Sequence, residues 1–172
     1  MMRIAILGNS GSGKSTLARW FNDACGVPVP VLDLDTVAWE LGAGASPRDP
    51  AAAAADVRCF CASGKQWVVE GCYATLVEVA LAYKPYLLFL DPGLEHCVMN
   101  CKARPWEPNK YGSKEEQDAK LAFLLSWVAD YYSRDGEMSL AGHRTLFDSY
   151  AGAKQHLQEL PDRGFRFEAL AI

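Results

Sequence analysis

The sequence predicts an α/β fold, a three-layer α/β/α sandwich in which a five-stranded parallel sheet is covered by helices on both faces. Three observations predict it. Short apolar, β-rich runs (3–7, 27–32, 67–69 and 86–90) alternate with stretches of helical period. The runs lead into polar or glycine residues at their carboxyl ends: Gly8, Asp33, Glu70-Gly71 and Asp91. The 172-residue chain is half apolar and 22% charged, with no low-complexity tract, which suits one domain spanning residues 1–172.

The elements follow in order. Residues 3–7 form the first strand, and 15–25 a helix because Leu17, Trp20, Phe21 and Ala24 share a face before Gly26 stops it. Two prolines restrict the second strand to the later half of 27–32, which delivers Asp33 and Asp35 at its end. A loose stretch, LGAGASPRDP, then leads to Asp49 as N-cap and Pro50 as first residue of an alanine-rich helix closed by Gly64. Residues 67–69 make the third strand, 74–83 a helix, and 86–90 the fourth strand, with Asp91 a turn residue before Pro92-Gly93. A helix over 94–103 precedes an exposed polar loop, 104–112. Ser113 and Glu116 have capping-box spacing for a long helix with the stripe Leu121, Leu124, Leu125, Val128 and Tyr132. A last helix over 154–160 and a fifth strand over 165–170 complete the pattern. Strand–helix alternation implies right-handed crossovers.

Composition narrows the functional classes. The formal net charge is −4 and no run of Lys or Arg forms a phosphate-tracking stripe, so nucleic-acid binding has little support. The amino terminus lacks a signal-peptide core and no apolar stretch is long enough for a bilayer, so the expectation is a cytoplasmic protein without a membrane partner. Six cysteines occur without C-x-x-C pairs; Cys97 and Cys101 beside His96 could place ligands on one helix face, but such thiols are more often small core residues.

One motif carries the chemistry. Residues Gly8, Asn9, Ser10, Gly11, Ser12, Gly13, Lys14 and Ser15 fit G-x-x-x-x-G-K-[ST], with a strand before and a helix after. Glycines let the backbone turn its N–H groups inward, and with the helix amino terminus these make a nest for polyphosphate oxygens. Lys14 is expected to reach the β- and γ-phosphates of ATP, Ser15 to ligate Mg²⁺, and Thr16 to lie near the α-phosphate. The fold is thus of the P-loop NTPase type. A GTPase would carry N-K-x-D, whereas the only Asn-Lys is Asn109-Lys110-Tyr111-Gly112. A motor or AAA+ ATPase would need more chain.

In ILGNSGSGKSTLA, VLDLDTVAW, WVVEGCY and YLLFLD the chain resembles P-loop kinases of the nucleoside-monophosphate-kinase-like group, which includes adenylate, shikimate and gluconate kinases. Within that group it is most similar to the small adenylate-kinase-related proteins of DNA-topology-modulation type. The resemblance implies a Mg²⁺-ATP-dependent phosphotransferase, with an acceptor-binding segment over about 36–64 and a lid over about 102–114. It implies Asp33 as an acid near Mg²⁺ and Asp35 on the acceptor hydroxyl, the alternative for Asp35 being a cap of the next helix; in an extended segment both carboxylates point the same way. Glu70-Gly71 stands where adenylate kinases have Asp-Gly, which implies a place for Glu70 in the metal shell and for Gly71 near acceptor or phosphate. Arg104 is the lid arginine candidate, with Lys102 and Lys110 behind it, and Arg134 or Arg144 (after a Gly142 hinge, in the pair His143-Arg144) as alternatives. Trp39 and Tyr73 could stack a planar acceptor or merely pack. Arg58 is favoured over Arg48 for an acceptor phosphate, while the D-x-D suits a hydroxylic metabolite, so both acceptor classes stay open. An ATP-dependent regulatory switch is the rival reading.

Overall fold

A computed structural model describes residues 2–24, 28–40, 46–108 and 111–161. Five strands, β1 (Arg3–Gly8), β2 (Val31–Asp33), β3 (Trp67–Gly71), β4 (Tyr86–Leu90) and β5 (Lys154–Leu157), form one sheet in the order β2-β3-β1-β4-β5. All pairings are parallel. The helices are α1 (Lys14–Ala24), α2 (Asp35–Ala38), α3 (Pro50–Ser63), α4 (Ala74–Leu81), α5 (Leu94–Lys102), α6 (Lys114–Asp130) and α7 (Leu140–Ser149). The three-layer α/β/α architecture is therefore the expected one.

Burial explains why these segments pair. β1, β3 and β4 are almost wholly buried, as a parallel sheet covered on both faces requires. One core lies under α3, α4 and α7, where Leu7, Val57, Trp67, Val77 and Phe89 meet. A second lies under α1, where Ile4, Ile6, Leu17 and Leu88 meet. A smaller cluster of Cys97, Cys101 and Val128 joins α5 to α6, so these two cysteines serve as core residues. Among the described residues no helix is long and apolar enough to cross a membrane.

Two caps stand where the sequence puts them. Asp49 accepts from the Ala52 N–H at 2.9 Å with Pro50 behind it, and Ser113 Oγ accepts from the Glu116 N–H at 3.2 Å. Glu116 reaches back to the Gly112 N–H rather than to that of Ser113.

Three expectations need correction. Residues 154–157 are strand β5 and not a helix, and they supply the fifth strand that was expected over 165–170, a stretch outside the described residues. β5 is an edge strand with polar side chains: His156 stacks on Phe89 at 4.7 Å, and Lys154 Nζ donates to the Phe147 and Asp148 carbonyls at the end of α7. Second, α7 occupies 140–149, so Gly142 is no hinge. It lies in the first turn, where its N–H meets Ser139 Oγ at 3.0 Å and a Cβ would come within 2.3 Å of the Gly136 carbonyl oxygen. Third, the fully buried aromatic at the end of α6 is Tyr131, while Tyr132 is half-buried and donates to Asp91 at 3.0 Å. Asp91 therefore does more than turn the chain.

Candidate active site

Parallel pairing brings the carboxyl ends of β1, β2 and β3 to one edge, with Asp33 level with Glu70 and Leu7 level with Gly71. The phosphate-loop motif leaves β1 at that edge. Gly11 and Gly13 have φ of 77° and 99°, the left-handed region that glycine enters without strain. Gly11 is also pressed against α5, since a Cβ there would lie 2.3 Å from the Cys97 carbonyl oxygen and 2.7 Å from Cys101 Sγ. In α1 the first backbone donor to find a carbonyl is Leu17, at 2.9 Å from the Gly13 oxygen. The N–H groups of Lys14, Ser15 and Thr16 precede it and have no intrahelical acceptor.

The loop is held from outside. Asn9 is buried, with Nδ2 donating to the Val128 carbonyl of α6 at 3.0 Å and Oδ1 accepting from the Ser10 N–H at 2.8 Å. Asn100 of α5 donates to the Gly11 carbonyl at 2.8 Å, a contact no sequence motif signals. Lys14 Nζ donates to the Asn9 carbonyl at 2.8 Å inside the loop. Ser12 Oγ is buried and has no hydrogen-bond partner among the described residues. A cradle with an orphaned buried hydroxyl and outward helix N–H groups fits a bound polyphosphate.

Ser15 Oγ donates to Glu70 Oε1 at 2.5 Å. Glu70 is 4% exposed. Burial raises its pKa, the Lys14 ammonium and the Ser15 bond oppose the rise, and the charges of Asp33 and Asp35 add to it. Five residues nominated from sequence thus interact around one carboxylate. Among the described residues no group of three or more His, Cys, Asp or Glu could hold a metal by itself. A hydroxyl beside a carboxylate does fit Mg²⁺ carried with a phosphate, because that ion keeps waters and phosphate oxygens as most of its ligands.

The D-x-D departs from its expected geometry. Only Asp33 belongs to β2; Asp35 opens α2. Asp33 Oδ1 accepts the Asp35 N–H at 2.9 Å and its carbonyl accepts from Thr36 Oγ1 at 2.6 Å, so Asp33 organises the turn into α2. The premise of one extended segment therefore fails, although both carboxylates bear on Glu70. Trp39 Nε1 donates to the Tyr73 hydroxyl at 2.6 Å, and that hydroxyl donates to Asp35 Oδ1 at 2.7 Å. Trp39 and Tyr73 are joined through polar atoms, which spacing in sequence cannot reveal. Burial, then the Asp35 charge, pushes the Tyr73 pKa up, which keeps the phenol protonated as a donor. Gly71 is buried, with Leu34 so close that a Cβ would lie 2.7 Å from Leu34 Cβ.

The basic candidates separate. Arg104 Nη1 pairs with Glu107 at 3.1 Å and Nη2 lies 4.0 Å from Cys101 Sγ, so it borders the phosphate loop through the sulfur that touches Gly11. Arg134 stacks over Trp127 at 3.6 Å and donates to the carbonyls of Trp127 and Met138, which makes it a clamp between α6 and the turn before α7. In the pair His143-Arg144 the imidazole points inward and the arginine is exposed. His143 bridges the Tyr131 hydroxyl and the Cys72 carbonyl at 2.8 Å each, and burial lowers its pKa to about 4. Lys102 is exposed, Lys110 lies outside the described residues, and Arg58 is exposed on α3.

No family model matches the chain, and no curated protein matches it. Among solved structures it is similar to a shikimate kinase from Bacteroides thetaiotaomicron, at 21% identity and TM-score 0.52, over 94% of this chain and 90% of that one. Looser likenesses are a sugar kinase from Janibacter sp., at 16% identity and TM-score 0.48 over 93% and 87%, and a gluconokinase from Sinorhizobium meliloti, at 18% and 0.47 over 84% and 93%. The fold of this chain is the three-layer α/β/α fold of P-loop NTPases.

Proposed function

We propose that the protein is a Mg²⁺-ATP-dependent kinase that transfers the γ-phosphate of ATP to a small-molecule acceptor. The observation that carries this is the meeting of Lys14 and Ser15 of the phosphate loop with Glu70, Asp33 and Asp35 at one sheet edge. A nucleotide cradle alone would serve a switch; a cradle facing carboxylates suits transfer. The fold's kinase-like neighbours agree with the reading at the level of architecture.

In the proposed site the N–H groups from Gly11 to Thr16 and the Ser12 hydroxyl hold the phosphates. Lys14 leaves the Asn9 carbonyl for the β- and γ-phosphates. Ser15 and Glu70 would hold Mg²⁺, which would supply charge neutralisation at the phosphoryl oxygens. Asp33 orders the turn that presents Asp35, and Asp35 accepts the hydrogen bond of an acceptor hydroxyl. Transfer of this kind rests on position and charge more than on a strong base. Arg104 would leave Glu107 to reach the transferring group, as the lid over about 102–114 closes and water is excluded. The single domain, the acceptor segment over about 36–64 and the finer likeness to DNA-topology-modulation-type proteins belong to the same proposal.

The test is acceptor dependence of ADP release. A kinase releases ADP much faster with one acceptor than without; a uniformly slow rate with every acceptor supports a switch. Lys14→Ala should abolish ATP turnover with an unchanged far-ultraviolet circular dichroism spectrum, and undiminished turnover would remove the loop from the mechanism.

A further inference from the structure

The carboxyl end of α6 meets both halves of the proposed site within one turn. The Val128 carbonyl accepts from Asn9 Nδ2 at 3.0 Å, which fastens the phosphate loop. Three residues on, the Tyr131 hydroxyl meets His143 Nδ1 at 2.8 Å, and His143 Nε2 meets the Cys72 carbonyl at 2.8 Å. Three residues of helix rise about 4.5 Å, a separation that helix geometry keeps constant.

The direction of each bond follows from the partners. The Cys72 oxygen can only accept, so Nε2 carries the ring proton and donates. Burial lowers the imidazole pKa to about 4, so near neutral pH the ring holds no second proton. Nδ1 is therefore an acceptor, and the Tyr131 hydroxyl donates to it. Both side chains are fully buried, and the ring stands edge-on to Phe89, so packing fixes it as well. The Cys72 carbonyl belongs to the peptide that leads into Tyr73, the residue from which α4 starts. Holding that oxygen sets the plane from which Tyr73 departs. The Tyr73 hydroxyl in turn donates to Asp35 at 2.7 Å and accepts from Trp39 Nε1 at 2.6 Å. A histidine that merely filled the core would need two satisfied nitrogens, but not these two partners.

We propose that His143 is a positioning residue for phosphoryl transfer: by bridging Tyr131 to the Cys72 carbonyl, it holds the Tyr73–Asp35 pair at a fixed place relative to the phosphate loop that Val128 fastens. This rests on the kinase reading and deepens it by naming what sets the spacing between the nucleotide and acceptor sides. His143 acts through Tyr73 and touches neither reactant. Spacing matters because a misplacement of about 1 Å can cost about a hundredfold in rate.

The experiment compares the full chain with His143→Leu, Tyr131→Phe and His143→Gln; the glutamine amide can donate to the Cys72 carbonyl and accept from Tyr131 as the imidazole does. The first readout is the nitrogen–proton correlation spectrum of the indole groups, in which the Trp39 signal is the one lost in Trp39→Phe. In His143→Leu and Tyr131→Phe that signal should move upfield as its bond to Tyr73 loosens, while Trp67, bonded to the Cys61 carbonyl, stays in place. His143→Gln should return it toward the wild-type position. A Trp39 signal unmoved in both variants, or a Trp67 signal that moves as far, overturns the proposal; Tyr131→Phe decides alone if His143→Leu does not fold. The second readout is ADP release from Mg²⁺-ATP with cytidine, CMP, glucose and glycerate, beside the Kd of adenylyl imidodiphosphate by calorimetry. With the acceptor that accelerates the wild type most, His143→Leu should lose about tenfold in kcat with that Kd changed less than about twofold, and His143→Gln should stay within about threefold of the wild type. An unchanged kcat, or a loss carried by the Kd instead, also overturns the proposal. Four acceptors that all fail to accelerate the wild type speak against the kinase reading, and the indole signals then still decide whether His143 sets Tyr73.

Discussion

At the scale of single residues the site is decided by who donates to whom. Tyr73 has one proton and gives it to Asp35, so Asp35 is held as an acceptor for the next hydroxyl to arrive. Tyr73→Phe removes that bond and leaves Trp39 Nε1 without its partner, while the phosphate loop is untouched. The expected result is a fall in kcat of about tenfold with an ATP KM changed less than about twofold, read from initial rates. An ATP KM that rises instead, with kcat intact, would place Tyr73 on the nucleotide side. The phosphate loop was legible in the chain because its spacing is local: eight consecutive residues specify turn, nest and helix start. The Tyr73–Asp35 bond spans 38 positions and depends on where β3 and α2 come to rest, which no local pattern encodes. The same holds for the arginines. Arg104 leads Arg134 and Arg144 in the sequence only by its place in the loop; packing commits Arg134 to carbonyls, turns Arg144 outward and sets Arg104 beside Cys101.

At the scale of elements, caps were readable and edges were not. Asp49-Pro50 marks the start of α3 because both residues act within one turn. Asp49→Ala should lower stability by about 1 kcal/mol in urea unfolding, and a change below about 0.3 kcal/mol would show that the first turn frays without cost. β5 escaped because an edge strand buries little: Leu157 alone among its four residues is buried, so the alternation that marks a half-buried strand is incomplete. Helix α7 announces itself only by Ser139 as N-cap and by the spacing of Leu140, His143 and Leu146, with a histidine where an aliphatic residue would make the stripe plain. The short α2 was legible only as the alternative in which Asp35 caps a helix, since alternation suggests a strand continuing through Asp35 while the Asp33 carboxylate turns the backbone instead.

At the scale of the molecule, His143 ties α7 to α6 through Tyr131 and to the end of β3 through the Cys72 carbonyl. Burial keeps it neutral, with a pKa near 4 in the native state against 6.5 unfolded. The unfolded chain therefore binds the extra proton between those values. Stability from this group is fully present above about pH 6.5 and is lost as pH falls toward 4, by about 3 kcal/mol at most. Glu70 works in the opposite sense, because a carboxyl whose pKa folding raises contributes less stability as pH rises. Comparing urea midpoints of the wild type and His143→Gln from pH 7 to pH 4.5 separates the two. The variant should start less stable and lose less on acidification; parallel curves would show that folding leaves the proton affinity of His143 unchanged.

The fastenings of the phosphate loop join distant parts of the chain. Asn9 reaches Val128 across 119 positions and Gly11 is reached by Asn100 across 89. On a ribosome the loop would be among the first residues made and among the last secured. β1 would wait for β3 and β4 as well, since it lies between them in the sheet. A nascent chain stalled before Val128 emerges would carry the whole motif and still lack the Asn9 tether, so a firm hold on ATP would be a property of the nearly finished protein.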